Sequence, residues 1–216
     1  MLFYDCSTAP NPRRARMFIA EKGLDIEVRD ISIARGEQLT PEFTAINPRA
    51  TVPVLVTDSG AVLTENIGIA AYLEAAFPEP PLMGTTPDQK GAVLMWNAIV
   101  EQQGGMPIAE VLRNSNPAMK DRAIPGQTNF EQIPALSERG LARVDLFFDL
   151  LESRLSASRY LAGDDFTFAD ISCFIFVDFT RVIRRRIPEG NAATQAWFEG
   201  VKARPSAVFG APASKK

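Results

Sequence analysis

Histidine is absent from all 216 residues, and no other count excludes as much chemistry. Without it there is no Ser-His-Asp or Cys-His activation of a nucleophile and no histidine-ligated zinc. The usual general base at neutral pH is missing too. Cysteine is scarce: Cys6 and Cys173 are too few and too far apart for a disulfide framework, which fits a reducing compartment. No metal site is expected. No run approaches the ~18 apolar residues of a membrane span, and Met1-Leu-Phe-Tyr-Asp lacks the basic-then-apolar layout of a signal peptide. Positive charge is not in excess, since a net charge of −3 gives no long-range pull toward nucleic acid or anionic membrane. The one basic run, Arg184-Arg185-Arg186, reads as a solvated helix face. These absences predict a cytoplasmic protein with neither nucleic-acid nor membrane partners. Its chemistry must run on hydroxyls, carboxylates, a thiol, backbone dipoles or a borrowed cofactor.

What is present suits a globular chain. Hydrophobic residues make up 46% and charged residues 23%, enough to bury a sizeable core in one large domain or two small ones. Residues 2–4 form a short apolar strand, and Asp5-Cys-Ser-Thr-Ala-Pro-Asn-Pro12 a proline-broken loop. Arg13 to Lys22 reads as a helix, with Pro10 and Pro12 suited to its first turn and Gly23 to its C-cap. A second strand falls within Leu24–Ile33, and a short helical piece within Gln38–Phe43. Thr51-Val-Pro-Val-Leu-Val-Thr-Asp-Ser-Gly then reads as a strand entered at Pro53 and a Ser59-Gly60 hairpin turn. A further strand leads to Glu65-Asn66, which opens a helix ending at Phe77-Pro78. Strand, helix, strand, helix, hairpin, helix is a thioredoxin-like α/β order over residues 1–80. The proline-rich stretch from Pro78 to Pro87 sets the boundary, with a linker at 81–90 and an all-helical domain at 91–216.

In that second domain Lys90–Glu101 is helical, loosening at Gly104-Gly105 and Pro107. Val144, Phe147, Phe148, Leu151 and Leu155 form an amphipathic stripe. Ile171–Val182 is apolar on nearly all sides and should be the central buried helix. Thr167 and Asp170 stand at capping-box spacing just before it, with Phe166 placed to staple onto Ile171. Trp197, Phe198 and Val201 belong to a last helix, and the Ala/Ser/Lys tail is expected to be loose.

Val52-Pro53-Val54-Leu55 followed by Glu65-Asn66, with Gly163-Asp-Asp-Phe-Thr-Phe-Ala-Asp170 further on, resembles the glutathione S-transferases over nearly the whole chain. The layout Asp5, Pro10, Pro12, Arg14, Arg16 is similar to the fungal and bacterial branch that includes yeast glutathione transferase II. The resemblance implies glutathione as co-substrate, a small hydrophobic electrophile as second substrate, and a homodimer. It implies that Val52 offers its backbone to the cysteinyl part of glutathione across a cis Val52–Pro53 bond. It also implies that Glu65 and Asn66 hold the γ-glutamyl amine and carboxylate, and that Gln38 and Thr51 reach the glycyl end. Serine is usual where this chain has Asn66. The branch tends to carry histidine near Arg113–Asn116, where Asn114, Ser115 or Asn116 would have to substitute.

The chemistry asks for a thiolate, because the thiolate is the nucleophile. Lowering a pKa near ~8.5 by ~2 units needs roughly 2.7 kcal/mol. One charge-assisted hydrogen bond supplies ~1.5–3 kcal/mol, and a helix N-terminus ~0.3–1. Ser7 and Thr8 are the hydroxyl candidates in the loop, and Cys6 is a third candidate. Cys6 would favour mixed-disulfide chemistry over conjugation. Three readings follow: a glutathione transferase serving detoxification, a Cys6-dependent glutathione thiol reductase or glutathione-dependent lyase, and a non-catalytic binding protein on the same fold.

Overall fold

The computed structural model describes residues 1–209, so the Ala/Ser/Lys tail lies outside the described residues. The chain divides into two compact units. One holds Met1–Pro80, Pro125–Thr128 and the residues from Pro205; the other holds Pro81–Ile124 and Asn129–Arg204. No helix among the described residues is long and apolar enough to cross a membrane.

The first unit has the thioredoxin-like order: β1 (Leu2–Asp5), α1 (Pro10–Glu21), β2 (Glu27–Asp30), α2 (Pro41–Thr44), β3 (Val54–Val56), β4 (Val62–Thr64) and α3 (Asn66–Ala76). The sheet runs β2-β1-β3-β4, with β1 and β2 parallel and the other pairs antiparallel. Helix α1 begins three residues earlier than the sequence suggests, because Pro10 at N1 needs no hydrogen bond and already has a helical φ. The second strand is shorter than Leu24–Ile33. Only Glu27–Asp30 pair with β1, as an edge strand with all four residues exposed, while Ile26 and Ile31 are buried at its two ends. Gly23 at φ +64 ends α1 as a left-handed cap. Just before it, the buried Lys22 ammonium donates to the carbonyls of Phe77, Pro78 and Pro80 at 2.8, 3.1 and 2.6 Å. It also pairs with Glu74 at 2.6 Å, so one cation gathers the end of α3.

In the second unit α4 (Pro87–Val100) opens with a capping box of Thr86 and Gln89. The expected loosening at Gly104-Gly105 is a π-helical turn, Glu101–Gly105, that carries the helix on into α5 (Met106–Ser115). A β-carbon at Gly104 would sit 2.6 Å from the Phe147 ring, and one at Gly105 2.6 Å from Phe176. The glycines therefore admit two rings at the widened turn. Helix α6 (Pro134–Ala157) buries the Val144, Phe147, Phe148, Leu151 and Leu155 stripe. Helix α7 (Phe168–Phe179) is buried along most of its length. The Asp170 carboxylate reaches back to the Thr167 N–H and hydroxyl, both at 3.1 Å, and also accepts from Leu161 N–H at 3.0 Å and Trp197 Nε1 at 3.1 Å. Phe166 packs edge-on against Tyr160 and beneath the Arg204 guanidinium. Arg184–Arg186 are not on a helix face. They follow a 3-10 turn at Thr180–Ile183, which Arg184 ends at φ +56. Helices α8 (Ala192–Lys202) and α9 (Pro205–Phe209) complete the described chain.

Candidate functional site

Strand register brings the sequence-predicted residues to one end of the sheet. Tyr4 pairs with Val54, and Val54 with Thr64. One step beyond those pairs, the end of β1, the entry to β3 and the end of β4 lie side by side. Cys6, Val52 and Asn66 follow from that alignment, and the starts of α1 and α3 follow it in chain order.

The β1–α1 loop is fixed by Asp5, which is buried. Its carboxylate accepts the Cys6 N–H at 2.7 Å and pairs with Arg16 at 2.5 Å. Ser7 N–H donates to Asp30 at 3.0 Å, tying the loop to the end of β2. Neither Ser7 nor Thr8 caps α1: its N-cap is Ala9, with no side-chain bond. The Ser7 hydroxyl makes no hydrogen bond among the described residues, and Thr8 Oγ1 lies 3.5 Å from Cys6 Sγ. Of the first three helical residues, Pro10, Asn11 and Pro12, only Asn11 has a main-chain N–H. Cys6 is 3% exposed and packs with Tyr4, Ile31, Phe43, Val52 and Val54.

The loop entering β3 is organised by Asn47. Its Nδ2 donates to the Thr51 carbonyl at 2.8 Å and hydroxyl at 3.1 Å, and its Oδ1 accepts the Arg49 N–H at 3.1 Å. The Val52–Pro53 bond is cis. Arg49 pairs with Glu65 at 2.9 Å and also bonds the Thr64 hydroxyl. Glu65 is the N-cap of α3 at φ 61, ψ 134, a conformation that side-chain-bearing residues avoid, and it makes no capping bond. Asn66 follows, 4% exposed. Its Oδ1 is buried without a hydrogen-bond partner, and so is Gln38 Oε1 in the turn Glu37–Leu39. Buried polar atoms are nearly always satisfied, so two orphaned acceptors ask for donors from outside the chain.

In the second unit, the three residues named for the second substrate are tied into local structure. Asn114 Nδ2 donates to the Glu110 carbonyl at 2.8 Å while its Oδ1 accepts the Ile133 N–H at 2.9 Å. Ser115 Oγ donates to the Val111 carbonyl at 2.7 Å, and Asn116 Oδ1 accepts the Ala118 N–H at 3.0 Å. Sequence reasoning overlooked Asn47, Arg49 and the Asp5–Arg16 pair. Only the last left a signal, the spacing of Asp5 and Arg16 about the two prolines.

A family model for the glutathione S-transferase N-terminal domain matches residues 8–76, and one for the C-terminal domain matches residues 134–200. Glutathione S-transferase 2 of Saccharomyces cerevisiae is 31% identical over 208 residues, covering 95% of this chain and 87% of that protein. Among solved structures, Gtt2 of Saccharomyces cerevisiae superposes with a TM-score of 0.88 at 29% identity, over 97% of this chain and 100% of that one. A glutathione S-transferase domain-containing protein of Marinobacter aquaeolei also gives 0.88 at 29%, over 95% and 99%.

Proposed function

The chain belongs to the glutathione S-transferase family, and from that premise we propose that its first unit binds glutathione and turns the thiolate on a small apolar electrophile. The observation that carries the reading is the pair of buried, unpartnered oxygens, Gln38 Oε1 and Asn66 Oδ1. Leaving such a group unsatisfied costs ~1–3 kcal/mol each. A tripeptide with amide N–H groups and an ammonium relieves both.

In this reading Glu65 and Asn66 take the γ-glutamyl ammonium, and the uncapped start of α3 favours its carboxylate. The Val52 main chain pairs with the cysteinyl part as an added strand would. Gln38 and Thr51 face the glycyl end without a positive charge. The sulfur lies by the β1–α1 loop, where the Ser7 hydroxyl, Thr8 and the Asn11 N–H are the donors. One of these hydroxyls with the α1 dipole supplies the roughly 2.7 kcal/mol that a ~2-unit drop requires. In the reaction a carbon–sulfur bond forms as the leaving group departs with its electron pair, and the thiol proton passes to solvent. Nothing in the geometry favours a Cys6-dependent reaction, since that side chain is packed in the sheet core. The reading extends to a cytoplasmic detoxifying role and a twofold homodimer. Leu94 and Met95, 46% and 53% exposed on α4, offer apolar surface for the dimer, and light scattering reads the state directly.

The test is an ultraviolet thiolate titration of bound glutathione, with turnover of a neutral aryl halide in the same samples. Wild type should ionise bound glutathione well below its free pKa, and Ser7→Ala or Thr8→Ala should raise that value by about one unit. Ionisation of bound glutathione only at its free value would refute the reading.

A further inference from the structure

The loop entering β3 brings a cation to the start of α3. Arg49 Nη2 donates to the Thr64 hydroxyl and lies 2.9 Å from Glu65 Oε1. The buried Asn47 holds the Arg49 main chain, accepting its N–H at 3.1 Å, and ties the same loop to Thr51. Ala50 follows, 3% exposed at φ +53, and Glu65 itself stands at φ +61. Residues with a β-carbon avoid that region. A strained position therefore accompanies each of the two charges.

A role in stability does not account for this. An ion pair between side chains 56% and 64% exposed contributes little to the folded state, and the two left-handed residues subtract from it. Strain of this kind collects at binding sites. The pair also leaves donors unused, since Arg49 Nε and Nη1 make no hydrogen bond among the described residues.

Charge points the same way. The residues read as holding glutathione, Gln38, Thr51, Val52, Pro53, Glu65 and Asn66, carry one negative charge and no positive one. Glutathione has two carboxylates and one ammonium, so without Arg49 a negative ligand would meet a negative site. Its γ-glutamyl end carries an ammonium and a carboxylate on one carbon. A guanidinium 2.9 Å from a carboxylate is the complement of that zwitterion, with Glu65 for the ammonium and Arg49 for the carboxylate.

We propose that Arg49 is the binding cation for the γ-glutamyl carboxylate and makes the site selective for an α-amino acid head. The assignment rests on the transferase reading, which places that head at Glu65.

The probes are glutathione and 4-aminobutyryl-Cys-Gly, which keeps the ammonium and lacks the neighbouring carboxylate. Binding of both is measured by calorimetry on wild type, Arg49→Gln and Arg49→Lys, with circular dichroism confirming that each variant is folded. Wild type should prefer glutathione. Arg49→Gln should cut that preference about fivefold, the worth of an exposed ion pair, and Arg49→Lys should restore part of it. Any change in the hold of Glu65 on the ammonium is common to both probes and cancels in the ratio. Added salt should shrink the preference in wild type more than in Arg49→Gln. A preference unchanged in folded Arg49→Gln, or tighter binding of both probes alike, overturns the role of Arg49 and leaves the glutathione site standing. Failure of wild type to bind glutathione overturns both.

Discussion

Asp170 offers a test of the packing in the second unit. Its carboxylate is buried at 0% exposure and accepts four hydrogen bonds, yet burial outweighs them and raises its pKa to about 6. A folded pKa above the unfolded value means that the native state binds the proton more tightly. The contribution to stability is therefore full below the unfolded pKa of ~3.8 and is lost as pH rises through about 6. Between pH ~7.5 and pH ~5 this one group should add on the order of 1 kcal/mol to wild-type stability. Asp170→Asn removes that gain. It also turns an amide N–H₂ toward donors that had a carboxylate oxygen, at a further cost of ~1–3 kcal/mol independent of pH. Both tryptophans, Trp96 and Trp197, belong to the second unit, so urea unfolding followed by tryptophan fluorescence reports on that unit. The gap between wild type and Asp170→Asn should widen by on the order of 1 kcal/mol on acidification over that range, with titrations common to both cancelling. A gap that stays constant or narrows toward pH ~5 would refute the reasoning.

Gly104→Ala should cost ~1–3 kcal/mol in the same unfolding assay, because the new methyl meets the Phe147 ring at 2.6 Å. Lys22→Met should cost ~3–5 kcal/mol by leaving Glu74 and three carbonyls without their cation; proteolysis of the first unit under native conditions reads the loss. Arg184→Gly should stabilise the second unit by ~1 kcal/mol in urea titration, since the exposed Arg184 is held at φ +56 where glycine carries no penalty.

What the sequence made legible was local. Pro53 marked a strand entry, Ser59-Gly60 a hairpin and Thr167–Asp170 a helix start, because each signal is complete within a few residues. The central apolar helix and the α6 stripe were readable for the same reason, as periodicity in one continuous segment. What escaped needed contacts distant in sequence. Residues 125–128 group with the first unit, where Gln127 bonds the Pro48 carbonyl, and no composition shift announces that. Arg49 reaches Glu65 only once the hairpin has folded. The π turn at Glu101–Gly105 read only as a loosening because glycine and proline weaken helices, whereas here the two glycines let Phe147 and Phe176 approach the backbone. Arg184–Arg186 misled in the opposite sense: charge alone says exposed, but not whether the exposed backbone is helical. At the candidate site the residue types were readable, while the orphaned oxygens of Gln38 and Asn66 were not. Satisfaction of a polar atom depends on every neighbour it has.

Glutathione binding by calorimetry, on wild type and on Glu65→Ala, tests the central claim most directly. Wild type should bind in the micromolar-to-millimolar range, and Glu65→Ala should bind at least about tenfold more weakly, the equivalent of one lost charge-assisted contact. Equal affinities would move the glutathione site away from the start of α3, and no binding by wild type would contradict the account as a whole.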